Sequence, residues 1–335
     1  MKVGVVGAGG WGTALAKLLA ENGHQVKIWA YERETKEEIN RLHTNEQFLS
    51  GVVLPPTLTA SNDPAEVASE AEVLTFVVPS QWLRHTVKLF KDYLSPEVVV
   101  VNAGKGIEIQ TLKTLSQVIK DELPGLHHEI VTLSGPNHSE EVGRRQPSAT
   151  VVAAPDLKVA EFVQDVFISP YLRVYTNLDR LGVEIGGALK NIFSMAAGIC
   201  EGLNYGDNTK AALVTRALAE MRRLGVMMGA EALTFSGLSG LGDLFVTAAS
   251  RHSRNAWAGR ELGKGRSLEE ILASTPMVVE GVPTTKAAYT LSQKFQVELP
   301  IIEKMYQVLF ENYPARQGVE DLMIRERRSE IEAIF

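Results

Sequence analysis

Three glycines, Gly7-x-Gly9-x-x-Gly12, stand directly after the apolar run at residues 3–6 and directly before residues 13–20, where Leu15, Leu18 and Leu19 recur at helical spacing. Each glycine has a physical task. The first permits a tight turn, the second lets backbone approach a pyrophosphate, and the third lets a helix pack close to a strand. The helix N-terminus then turns free N–H groups and a positive dipole end toward phosphate oxygens. In this strand–turn–helix context the pattern points to dinucleotide binding, with a plain tight turn as the alternative.

Other residues could carry chemistry further along. Lys190 lies in GGALKN at 186–191. A lysine on a helix usually faces solvent. The Gly186-Gly187 pair and the flanking Ile185, Leu189, Ile192 and Phe193 instead suggest a crowded interior. Desolvation there lowers an ammonium pKa and allows proton exchange near neutral pH. Asp243 follows Gly237, Gly240 and Gly242. It could hold a lysine, bind a hydroxyl or cap the helix from Leu244. Arg251, Ser253, Arg254 and Asn255 offer the forks and donors that suit a phosphate dianion, or else form a polar loop. His252 among them is an acid–base group, though a lone loop histidine usually faces solvent. Lys105, between Gly104 and Gly106 at a strand end, could hold phosphate or a substrate oxygen, and Glu280 is a carboxylate in an apolar loop that core packing does not explain. No cluster has metal-ligand spacing: Cys200 has no cysteine partner and the seven histidines are scattered. Neither a nucleophile elbow nor a Walker lysine motif is present.

The elements that must position these groups change character near residue 180. Before it, apolar strand-like runs at 3–6, 26–29, 73–78, 98–101, 130–133, 151–154 and 172–175 alternate with helical patterns. This predicts a mostly parallel, doubly wound sheet with ligands outside the carboxyl ends of its strands. Those ends carry 7–12, Pro79-Ser80, 104–106 and 135–137, and Ser80 reads as the N-cap of a helix from Gln81. After residue 180 helical patterns take over at 182–200, 210–228, 256–262, 268–274, 284–295 and 301–310. The expected fold is therefore α/β. A Rossmann-like dinucleotide-binding domain spans 1–180, and an all-helical substrate-binding and catalytic domain spans 181–335. The cleft between them is the expected ligand site.

Composition is consistent with this. A chain of 335 residues fits two domains, and 45% hydrophobic with 22% charged residues is ordinary for a soluble globular protein. A net charge of −6 argues against general nucleic-acid binding. One cysteine excludes an intrachain disulfide and suits a reducing compartment. With no apolar stretch long enough to span a membrane and no secretory signal, a cytoplasmic location is expected. At the end of the second strand, the place of the ribose-binding acidic residue is taken by Ala30 and Tyr31, with Glu32-Arg33 just beyond. Glu32 could take the ribose, Arg33 could take a 2′-phosphate, or the pair could simply be solvated.

Nine stretches together resemble the bacterial NAD(P)-dependent sn-glycerol-3-phosphate dehydrogenase family. They are GAGGWGTALA at 7–16, NAGKGIE at 102–108, SGPNHSEEV at 134–142, GGALKN at 186–191, GDNTKAALVTRALAEMRRLG at 206–225, GLGDL at 240–244, SRN at 253–255, VVEG at 278–281 and ELPI at 298–301. The resemblance implies reversible hydride transfer between NADH or NADPH and dihydroxyacetone phosphate or sn-glycerol 3-phosphate, feeding phospholipid synthesis. It implies no metal, a small-molecule substrate and a homodimer. Lys190 would be the proton acceptor, with Asp243 orienting it or a substrate hydroxyl. Lys105, Gly135, Asn137, Asp243, Ser253, Arg254 and Asn255 would surround substrate. Gly10, Trp11, Lys105, Ser139, Arg254, Val278 and Glu280 would touch cofactor beside Gly7, Gly9 and Gly12, and Tyr31 and Glu32 occupy the adenosine-ribose positions. The chain departs from the family pattern at Gly10 (usually Ser), Asn137 (usually Ser or Thr), Ser139 (usually Ala) and Glu32 (often Arg). A carboxylate at residue 32 would repel a 2′-phosphate and favour NADH, with Arg33 adjacent. The rival readings are another dehydrogenase of this architecture, of 3-hydroxyacid or 6-phosphogluconate type, and a non-catalytic nucleotide sensor.

Overall fold

A computed structural model of the chain describes residues 1–250, 253–275, 277–327 and 329–330. It divides into two compact units. The first comprises Met1–Lys105 and Thr114–Arg180, and the second comprises Gly106–Lys113 and the chain from Leu181 on. A single boundary at 180/181 does not capture the excursion at 106–113. Its physical reason is Ile107, fully buried in the apolar core of the second unit.

The first unit is built on eight strands: β1 (Lys2–Val6), β2 (Gln25–Trp29), β3 (Thr59–Ser61), β4 (Val73–Phe76), β5 (Val99–Asn102), β6 (Val131–Ser134), β7 (Ser148–Ala153) and β8 (Leu172–Asn177). They lie in the order β3-β2-β1-β4-β5-β6-β7-β8. Every neighbouring pair is parallel except β6 and β7. Alternate residues feed two cores. Val3, Val5, Val73, Val99, Val101, Val131 and Leu133 pack on one face with Leu15, Leu18 and Leu19 of the first helix, Gly10–Glu21. Val6, Leu74, Phe76, Val98 and Val100 pack on the other with Leu83, Val87 and Phe90. Burial of both faces explains why these strands are continuous apolar runs rather than alternating ones. Ser80 is not a helix cap. It opens a 3-10 turn, Ser80–Trp82, that precedes the helix Leu83–Phe90.

The second unit is helical in its described residues. Its axis is the helix Arg180–Gly202, whose residues from Gly182 to Cys200 are all buried. Neighbouring backbones reach it through glycines. A Cβ at Gly198 would lie 2.1 Å from the Ala256 carbonyl oxygen, and one at Gly259 would lie 2.0 Å from that of Met195. The helix Arg254–Gly263 can therefore press its backbone onto the axis helix.

A buried carboxylate ties the same unit together. Glu220, on the helix Asp207–Met227, accepts the backbone N–H groups of Ile301 (2.7 Å) and Ile302 (3.2 Å) at the start of the helix Pro300–Phe310. Burial raises its pKa to about 7, although these two N–H groups and the Arg223 and Arg325 charges pull the other way. A folded-state pKa above the unfolded one means stability present at low pH and lost as pH rises through about 7. The expected loss between about pH 5 and about pH 8 is on the order of 3 kcal/mol from this group. Denaturant titrations should show that slope in the wild type and a flatter one in Glu220→Gln. Equal slopes would remove Glu220 as its source.

Candidate functional site

In the first unit, β1 delivers the glycine turn at its carboxyl end. Gly7 has φ +114°, in the region that favours glycine, and a Cβ there would lie 2.5 Å from the Val77 carbonyl oxygen. A Cβ on Gly12 would lie 1.9 Å from the Gly7 carbonyl oxygen. Gly9 differs: no atom comes within 4 Å of where its Cβ would stand. Gly9 is also the cap residue of the first helix, which has no side-chain cap bond and no acidic residue in its first turn. Beside it, the buried Trp11 Nε1 has no hydrogen-bond partner among the described residues. Open backbone, uncapped amides and an unpartnered indole donor fit a pyrophosphate.

Residues with no local signal in the sequence hold this turn in shape. Asn45 is buried, and its Nδ2 donates to the Ala8 carbonyl (2.9 Å) and to Thr13 Oγ1 (2.8 Å). Thr13 Oγ1 donates to the same carbonyl at 3.2 Å. The Phe48 carbonyl oxygen lies 2.6 Å from where a Cβ on Gly10 would be, and Ser139 Oγ lies 3.1 Å from that point. The hydroxyl of Ser139 thus stands close to the space a side chain at residue 10 would use. Asn45 and Phe48 reach the turn from more than thirty residues away, so periodicity does not reveal them.

At the end of β2, Tyr31 is 78% exposed and sits edge-on to Trp29, with ring centroids 6.0 Å apart. Glu32 occupies the cap position of the helix Arg33–Leu42 without a side-chain cap bond. The neighbouring Arg33 Nε donates to Glu37 Oε1 at 2.9 Å. At the ends of β5 and β6, Lys105 Nζ donates to the Gly135 carbonyl at 2.9 Å. Asn137 Nδ2 donates to the Ala149 carbonyl at 2.8 Å, which orients the amide and leaves its buried Oδ1 without a partner among the described residues. This half therefore gathers Gly7, Gly9, Gly10, Trp11, Gly12 and Ser139 at the turn. It places Lys105, Gly135 and Asn137 two and three strands over.

In the second unit, Lys190 and Asp243 come together in the interior. Lys190 is 8% exposed and Asp243 1%. Lys190 Nζ lies 3.1 Å from Asp243 Oδ1 and donates to Thr247 Oγ1 at 2.9 Å. Thr247 Oγ1 in turn donates to Asp243 Oδ1 at 3.1 Å. Asp243 is the first residue of the helix Asp243–Ala249, with Gly242 at the cap, so the capping alternative does not hold. Thr247 stands one helical turn after Asp243, a spacing that puts both on one face of the helix and is the sequence signal for their contact. Close approach makes the arrangement possible: a Cβ at Gly186 would lie 2.7 Å from the Ser239 carbonyl oxygen.

The Ser253-Arg254-Asn255 block separates into different tasks. Ser253 caps the helix Arg254–Gly263 through the Ala256 N–H and pairs with Ser194 Oγ at 2.8 Å. Asn255 Nδ2 donates to Asn191 Oδ1, and its Oδ1 accepts the Gly281 N–H, both at 2.9 Å. Arg254 is exposed, and its Nη1 reaches the Val278 carbonyl only at 3.5 Å. Among the described residues of the block, Arg254 therefore has its guanidinium available to an anion. Val278 is 39% exposed, and Glu280 takes the cap position of the helix Gly281–Phe295. Arg251 and His252 lie outside the described residues. Among the described residues, no group of three or more His, Cys, Asp or Glu could hold a metal ion, and no helix is long and apolar enough to cross a membrane.

Known proteins match the whole chain. The family model described as the NAD-dependent glycerol-3-phosphate dehydrogenase N-terminus matches residues 2–160, and the model of the C-terminus of the same dehydrogenase matches 179–320. The chain is 50% identical over 332 residues to a protein of Lysinibacillus sphaericus named glycerol-3-phosphate dehydrogenase [NAD(P)+], covering 99% of this chain and 98% of that one. A protein of the same name from Bacillus thuringiensis is 51% identical over 334 residues, with the same coverage. Among solved structures, the glycerol-3-phosphate dehydrogenase of Coxiella burnetii superposes with a TM-score of 0.92 at 32% identity, covering 96% of this chain and 98% of that one. A ketopantoate reductase from Ralstonia eutropha, at 14% identity and a TM-score of 0.55, shares the fold alone.

Proposed function

We propose, from the premise that the chain belongs to the NAD-dependent glycerol-3-phosphate dehydrogenase family, that it interconverts dihydroxyacetone phosphate and sn-glycerol 3-phosphate. It is an NAD(P)-dependent oxidoreductase acting on a CH–OH group. The observation that carries the mechanism is the buried triangle of Lys190, Thr247 and Asp243.

When bound, the reduced nicotinamide supplies the hydride that reaches the ketone carbon. Gly7, Gly9, Gly10, Trp11, Gly12 and Ser139 are the residues that would hold the dinucleotide's phosphates. Lys190 faces the carbonyl oxygen, stabilises the negative charge that grows there, and transfers a proton from Nζ to complete the alcohol. In the oxidative direction the same nitrogen accepts the hydroxyl proton. Asp243 supplies the countercharge, and Thr247 fixes the direction of the ammonium. Lys105 and the free Oδ1 of Asn137 suit the substrate's terminal hydroxyl. Arg254 takes the phosphate, so that binding energy remote from the reacting carbon positions it. Ser253 and Asn255 support Arg254 and Asn191 from within the packing rather than offering free polar groups.

Arg254→Ala should raise the KM for dihydroxyacetone phosphate by at least about tenfold, with a smaller effect on kcat. It should also erase the preference for a phosphorylated over an unphosphorylated ketose. Intact discrimination would remove Arg254 from the phosphate role.

NADH is the preferred cofactor in this reading. Residues 32–38 carry four carboxylates against two cations, and Arg33 is paired with Glu37. A 2′-phosphate would meet net negative charge there. The reading extends to a cytoplasmic homodimer that supplies phospholipid synthesis. The buried, unpaired Cys200 favours a reducing compartment, and exposed Leu233 and Phe245 on the second unit favour self-association.

A further inference from the structure

At the other end of the first helix from the glycine turn, the first unit carries an open cavity of about 650 Å³. Lys17 lies seven residues along the helix from Gly10, about 10 Å at helical rise. The walls are Lys17 and Glu21 of that helix, the loop 51–56, and Gly143, Arg144 and Arg145. Three cations face it against one carboxylate. Lys17 is 5% exposed, and its ammonium, which carries three donors, donates to Glu21 Oε1 at 2.6 Å. Glu21 also accepts Arg145 Nη2 at 2.8 Å and the Tyr171 hydroxyl at 2.5 Å. Burial would raise the Glu21 pKa, but hydrogen bonds from Arg145, Lys17 and Tyr171 outweigh it and hold the value at about 2, so the carboxylate stays charged.

Arg145 pays a conformational cost to be there. Its φ is +58°, just past the end of the short helix Ser139–Gly143, where glycine is the usual residue. Its neighbour Arg144 is exposed, and Nη2 touches the Ser50 carbonyl only at 3.5 Å. Opposite these cations the wall is apolar: Val52, Val53, Leu54, Pro55 and Pro56, with Val53 73% exposed. We infer that this cavity is a second anion site, distinct from the glycine turn and from Arg254, and that it takes a phosphate monoester carrying a short hydrocarbon part. Arg144 presents its guanidinium fork to the phosphate, Arg145, whose Nε and Nη2 rest on Glu21, adds its charge, Lys17 adds a buried charge, and the valine–proline wall covers the alkyl portion.

Calorimetric titration of the full chain with butyl phosphate and with inorganic phosphate tests this. The Arg254→Gln background removes the other expected phosphate contact. In that background butyl phosphate should still bind, and more tightly than inorganic phosphate. Adding Arg144→Gln and Arg145→Gln should weaken it by at least about tenfold, while kcat at saturating substrate stays unchanged. Arg144→Gln alone changes only an exposed side chain, so a several-fold loss there reads the site even if the double change perturbs folding. Binding that vanishes with Arg254→Gln, or that ignores the changes at 144 and 145, would overturn the site. Equal affinity for the two probes would overturn the role of the apolar wall.

Discussion

Replacing Lys190 with alanine lowers kcat by at least ~10²-fold while dinucleotide binding is retained. The expectation follows from where the ammonium is. In the proposed mechanism Lys190 is the acid–base group of the buried triangle, and neither Thr247 nor Asp243 carries an ammonium proton to replace it. Truncation also leaves a carboxylate that is 1% exposed without its countercharge, at a stability cost of about 3–5 kcal/mol. Loss of activity through unfolding must therefore be separated from loss of the proton donor. The double variant Lys190→Met/Asp243→Asn removes both charges and should recover most of the stability but none of the rate. Lys190→Arg keeps a positive charge on a group that does not give up its proton, and it should stay slow. Single-turnover kinetics beside thermal unfolding would check all three. A double variant with near-wild-type rate would remove Lys190 from the chemistry.

Gly12→Ala and Gly9→Ala should both weaken dinucleotide binding by about 10- to 100-fold, but for different reasons. A Cβ on Gly12 would lie 1.9 Å from the Gly7 carbonyl oxygen, so the turn itself must move. That change should lower the unfolding temperature as well as the affinity. A Cβ on Gly9 would meet nothing of the protein within 4 Å. Its cost should appear only when a pyrophosphate fills the space, with the free protein as stable as wild type. Dinucleotide titrations and unfolding temperatures for the two variants make the comparison. Wild-type affinity in Gly9→Ala would mean that the open side of the turn is not where the phosphates lie.

How much of this was legible in the sequence differs from residue to residue. The glycine turn was legible because its three positions answer to local geometry, and the continuous apolar strands because both faces are buried. Lys190 was half legible: Gly186-Gly187 and its apolar neighbours suggested an interior, and the Ser239 backbone that presses on Gly186 is what they accommodate. Asp243 had three readings: the helix start with Gly242 at the cap removes capping, and the contact with Lys190 favours holding the lysine. In the Ser253-Arg254-Asn255 block, adjacent polar residues look alike in sequence. The helix that starts there turns two of them into the packing and one outward. Asn45 carried no signal, since its partners Ala8 and Thr13 are distant in the chain. The three-residue strand β3 is too short to show a period, and 106–113 joins the second unit through the buried Ile107, with Ile109 and Leu112 packed against the same core.

Reduction of a ketose phosphate with a nicotinamide dinucleotide is tested most directly by initial rates with dihydroxyacetone phosphate, followed by nicotinamide absorbance, using NADH and NADPH in parallel. Turnover is expected with both, with a kcat/KM at least about tenfold higher for NADH and reversal of that preference on Glu32→Arg. Absence of turnover with either cofactor, despite tight dinucleotide binding, would contradict that reaction.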